Sequence, residues 1–143
     1  MSLYKLEVVL RLVRQEEKQA ALMFKAVQDD YAIAENAFNQ ALRYRVDYEQ
    51  LSQGVRPSKF ALLQLRAARS FLANIDSLIH KQRNILSAKH EVLESRREQW
   101  QMLRAKTKSL ELVITSRRNS RRLAEEKKEQ SRLDGLFGRR MPH

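Results

Sequence analysis

Stepping alternately three and four residues along the chain from Leu3 lands on an apolar or aromatic residue at 12 of 15 positions, ending at Tyr48 and Ser52; the exceptions are Glu17, Arg45 and Ser52. The same step from Leu65 to Ile114 gives 11 of 15, the exceptions being Gln82, Lys89, Arg96 and Thr107. A 3-4 spacing sustained over about seven repeats is the seam of a helix packed against another helix. Between the seams lies QGVRPSK, in which Gly54 can end a helix and Pro57 stops it running on, with Ser58 a candidate cap for the next. The remaining glycines and the second proline, Gly135, Gly138 and Pro142, sit at the C-terminus. The pattern therefore predicts an all-α fold. It is one coiled-coil domain over 1–143, a long two-helix antiparallel hairpin with helices over about 3–53 and 58–133, a turn over 54–57 and a flexible tail over 134–143.

Folding about residues 55–56 would bring residue i of the first helix level with residue 111 minus i of the second, so that Leu3 meets the region of Lys108. The rest of the second helix, about 25 residues and some 37 Å at about 1.5 Å per residue, then forms a C-terminal overhang. An unpartnered helix of that length is marginal in water and frays unless gripped.

Charge adds direction to this outline. Residues 1–53 hold 7 basic and 8 acidic side chains, 54–103 hold 9 and 4, and 104–143 hold 12 and 5, out of a net charge of +11. The overhang carries SRRNSRR, whose Arg117, Arg118, Arg121 and Arg122 fall on one side of a helix and call for an acidic partner surface. The chain has no cysteine and no apolar run near the roughly 18 residues a membrane span needs, so a cytoplasmic, unprocessed protein is expected.

A two-helix hairpin offers no closed cleft in which catalytic groups could converge, and the sequence holds no phosphate loop or metal-binding motif. His80 and His90 are ten residues apart, which is not a facing helical spacing, so no metal, cofactor, small-molecule substrate or enzyme activity is expected. Function then resides in surfaces. Tyr44, Phe71 and Leu78 lie off the seams and, with seam residues Tyr48 and Ile75, make an apolar aromatic patch on the hairpin. Trp100 reads as core, and the seam cations Arg45, Lys89 and Arg96 as register-fixing residues whose stems reach outward.

Taken in order, LEVVLRLVRQEEKQAA, YRVDY, SFLANIDSLIHKQRNIL, SRREQW, KSLELV and EQSRLD resemble the FliJ family, the coiled-coil stalk of the bacterial flagellar type III export apparatus, over nearly the whole length. The resemblance implies a non-enzymatic protein, cytoplasmic and peripheral to the inner-membrane export apparatus. It further implies binding to the hexameric flagellar export ATPase, whose ring assembly and hydrolysis it promotes, to the cytoplasmic domain of the membrane export gate, and to export chaperones. Alignment on YRVDY and SFLANIDSLI carries the family's gate-contacting patch to Tyr44, Tyr48, Phe71, Ile75, Leu78 and Gln82; Ala37 and Ala41 depart from the larger side chains expected there. Arg117, Arg118, Arg121 and Arg122 become the candidate ATPase-ring contacts.

Three other readings compete. A virulence-type secretion stalk has the same architecture, and only the resemblance pattern favours the flagellar one. Nucleic-acid binding could use the same arginines on phosphates, but no aromatic side chains are interleaved with them for base stacking. An interfacial membrane helix is disfavoured because 115–132 offers only Leu123 and Ala124 as apolar residues.

Overall fold

The computed structural model describes residues 2–53 and 59–140. Two helices, α1 (Leu3–Gln53) and α2 (Lys59–Arg140), account for all but one of these, and no strand occurs among the described residues. The expected turn with Gly54 and Pro57, and the Ser58 cap, lie outside the described residues. At the other end Ser2 caps α1: its hydroxyl accepts from the Lys5 backbone N–H at 3.2 Å, and its carbonyl accepts from Leu6 at 3.1 Å.

All fifteen seam positions of each helix are buried or half-buried, while the next two steps on α2, Arg117 and Arg121, are exposed. The period of apolar residues thus sets the buried face of both helices, and it ends at Ile114 as the pattern requires. α2 continues to Arg140, through residues for which the sequence suggests a tail. Glycine in a helix costs only about 1 kcal/mol relative to alanine. Gly135 and Gly138, neither with positive φ, are therefore absorbed and do not stop it.

The chain divides into two compact units, one of residues 20–99 and one of 1–19 with 100–143. In the first, the helices run antiparallel and four rungs repeat at heptad spacing: Arg45 with Asp76, Phe38 with Arg83, Tyr31 with His90, and Phe24 with Arg97. The residue numbers of every rung sum to 121, not 111. The expected register is therefore wrong by about ten residues, and electrostatics supplies a reason. A sum of 111 would set Arg45 level with Arg66 and Glu35 level with Asp76, like charge against like. The observed register gives Arg45 an Nε–H donated to Asp76 at 2.6 Å and a second carboxylate, Glu49, at 2.8 Å. The hydrogen bond to Asp76, followed by Coulomb attraction to Asp76 and Glu49, raises the Arg45 pKa further, so the residue stays cationic at any working pH.

Lys89 is likewise not a bare seam cation but pairs with Asp30, and Arg96 donates to the Met23 sulfur at 3.7 Å and to Gln99 at 3.3 Å. Ala41, Ile75 and Ile79, flanked by Phe38 and Tyr48, form the apolar core of this unit.

In the other unit Leu6, Leu10 and Ile114 make the core, with Leu3 and Leu110 packed on it. Thr107 is buried with its hydroxyl donated to the Leu103 carbonyl at 3.0 Å, so its polarity is satisfied within its own helix. Trp100 is half-buried, with the Arg104 guanidinium 5.4 Å above its ring. Arg14 pairs with Glu111 at 2.9 Å and Glu7 with Arg118, residue numbers summing to 125. In that register α1 reaches the level of about Arg122. The overhang thus comprises residues 123–140, 18 residues and about 27 Å, shorter than the pattern suggests.

Candidate functional site

Two surfaces, one in each unit, carry the side chains singled out in the sequence. Tyr44, Tyr48, Phe71, Ile75 and Leu78 converge on a single apolar groove of about 510 Å³ between α1 and α2. The convergence follows from the seams. Ile75 is a seam residue and forms the buried floor at 6% exposure, whereas Tyr44, Phe71 and Leu78 sit one position before seam residues and so stand on the groove's walls. The Tyr48 and Phe71 rings meet at 4.2 Å between centroids, tilted by 35°. Gln82 is half-buried one helical turn past Leu78 and does not line the groove.

The groove also recruits Asp47, Leu51 and Asn74, which residue-by-residue transfer from the resemblance misses. Leu51 is recoverable from the pattern, since it lies seven residues after Tyr44 just as Leu78 lies seven after Phe71. It is more exposed, at 72%, than Tyr44, Phe71 or Leu78. A groove this apolar, with one carboxylate and one amide among its lining residues, can seat aliphatic or aromatic side chains of a partner.

The four arginines lie on α2 where every described residue from 115 to 138 is exposed. They are not equivalent. Arg118 is held by Glu7 of α1, Arg122 lies 3.9 Å from Glu126 of its own helix, and Arg117 is also engaged. Between residues 115 and 140 the helix carries nine basic and four acidic side chains, so the positive field survives these pairings.

Among the described residues no group of His, Asp or Glu is arranged to hold a metal ion, and no helix is long and apolar enough to cross a membrane. His90 is instead occupied with the Tyr31 ring, centroids 5.9 Å apart.

Comparison with curated proteins and with solved structures gives no match. The family model described as flagellar FliJ protein, however, matches residues 1–141 of the 143, spanning both helices and both surfaces; the chain belongs to the FliJ family.

Proposed function

We propose that this protein is the stalk of a flagellar export apparatus and uses its two surfaces on two partners. The apolar groove seats the cytoplasmic domain of the membrane export gate. The basic part of α2 enters the hexameric export ATPase ring and promotes its assembly and hydrolysis. The protein acts in the cytoplasm, peripheral to the membrane apparatus, and also receives export chaperones.

Family membership supports the apparatus and the stalk role. The observation that carries the division of labour is chemical: the groove's walls are apolar, and the exposed helix beyond Ile114 is dominated by arginine and lysine. A stalk needs no catalytic centre of its own. It acts by making contacts that differ between states of the ring it touches, which is how a non-enzymatic subunit can raise another protein's turnover.

The test is steady-state ATP hydrolysis by the cognate export ATPase with and without this chain, scored together with ring formation by gel filtration. Arg117→Glu/Arg121→Glu/Arg122→Glu is the informative variant. It spares Arg118, whose reversal would set a glutamate against Glu7 and disturb the hairpin itself. Stimulation and co-elution by the native chain, reduced about tenfold or more in the variant, are expected for charge-dominated contacts. Unchanged stimulation would remove the arginines from the ring interface.

A further inference from the structure

The two flanks of the seam in residues 20–99 differ in chemistry. The positions just after the seam on α2, Asp76, Arg83, His90 and Arg97, are the polar rungs that close over Arg45, Phe38, Tyr31 and Phe24. The positions just before the seam are Phe71, Leu78, Ile85 and Val92, again at strict heptad spacing, and each is 43–49% exposed. In a coiled coil these two sets lie on opposite sides of the packed face. On the apolar side α1 contributes Leu51 and Tyr44, whose numbers with Phe71 and Leu78 sum to 122, close to the register of the rungs. A smaller hollow of about 210 Å³, lined by Val27, Ala88 and Val92 beside the Asp30–Lys89 pair, lies farther along the same flank.

We propose that this apolar flank, from Leu51 and Phe71 to Val92, is a self-association face on which a second copy of the chain packs about a two-fold axis. The face demands a partner surface with apolar residues at heptad spacing and little charge, and an identical flank supplies that by construction. Its outer border on α2 is Asn74, Lys81, Ala88 and Ser95, a single charge in about three heptads. Residues 20–99 hold 12 basic and 9 acidic side chains, against 16 and 8 in the rest of the chain, so copies meeting here avoid most of the positive charge. The dimensions set the size of the contact. A rise of about 1.5 Å per residue from Phe71 to Val92, across a helix pair about 20 Å wide, gives roughly 600 Å² per copy and about 1,200 Å² in total. That is the lower edge of specific interfaces, the range of weak, transient association.

Sedimentation equilibrium of the full chain from about 1 to about 300 µM tests this. A concentration-dependent monomer–dimer equilibrium is expected, and Ile85→Glu/Val92→Glu should weaken it about 30-fold or more while the helical circular dichroism is retained. A second copy on this face covers the groove assigned to the gate, so the two occupants exclude each other there; Ile85 and Val92 lie outside that groove, and their substitution should weaken the dimer while gate binding is retained. A second variant guards against misfolding. The chain has no cysteine, so Ile85→Cys carries a unique thiol whose alkylation should slow at least about twofold at the highest concentration, while that of His80→Cys should not. A chain that stays monomeric throughout, or dimerises equally as Ile85→Glu/Val92→Glu, overturns the proposal.

Discussion

At the scale of single residues, burial and charge rank the contacts. Ile114 is 3% exposed, deeper than any other core side chain, and stands against Leu6 and Leu10. Ile114→Ala should cost about 2–4 kcal/mol, the usual range for emptying an aliphatic site in a packed core. The Asp30–Lys89 and Arg14–Glu111 pairs are partly solvated on both sides, and neutralising either should cost less than about 1 kcal/mol. Urea denaturation of Ile114→Ala, Asp30→Ala and Glu111→Ala checks the order. If the carboxylate variants were destabilised as much as Ile114→Ala, the ion pairs and not the seam would be holding the hairpin together. The pairs have a different role. Arg45 finds Asp76 only when the helices are in the observed register, so the seam provides the energy and the charges choose among its possible offsets.

At the scale of elements, the same division explains what can be read from the sequence. The seams are legible because burial against one partner helix demands a 3-4 period, and every predicted seam position is buried or half-buried. The register is not legible from the seams, because a heptad pattern is satisfied equally well at several offsets. A fold centred on residues 55–56 would set Arg45 level with Arg66 and Glu35 level with Asp76, whereas the observed register pairs Arg45 with Asp76. The groove is legible for the walls one position off the seam, Leu51 among them, whereas Asp47 on α1 needs the correct register to be seen across from Phe71 and Leu78. The C-terminal end of α2 departs from the expected tail because glycine there is only a weak helix former and not a stop. A methyl group added at Gly135 or Gly138 would meet nothing within 4 Å, and neither residue needs positive φ. Gly135→Ala/Gly138→Ala should therefore deepen the helical circular dichroism signal, each substitution favouring local helix by about 1 kcal/mol. Because residues 115–138 are all exposed, the melting temperature should move by less than about 2 °C. A larger shift in the midpoint would mean that the overhang packs on something within the chain.

At the scale of the whole molecule, the net charge of +11 and the apolar groove make opposite demands on salt. Contacts made by Arg117, Arg121 and Arg122 in solvent are screened over a Debye length of about 10 Å at 0.1 M salt and about 3 Å at 1 M. Contacts made by Tyr44, Phe71 and Leu78 remove apolar surface from water, a gain that salt leaves intact. On the proposed assignment, raising sodium chloride from about 50 to about 500 mM should weaken binding of the export ATPase about tenfold or more and leave binding of the gate's cytoplasmic domain within about twofold. Calorimetric titration of each partner over that range reads the two slopes separately. Leu78→Asp adds a charge to a wall of the groove that Asp47 also lines and should abolish gate binding without altering the ATPase slope. Steep salt dependence at the gate, or a flat response at the ATPase, would mean that the two surfaces had been assigned to the wrong partners, because neither chemistry can imitate the other's response.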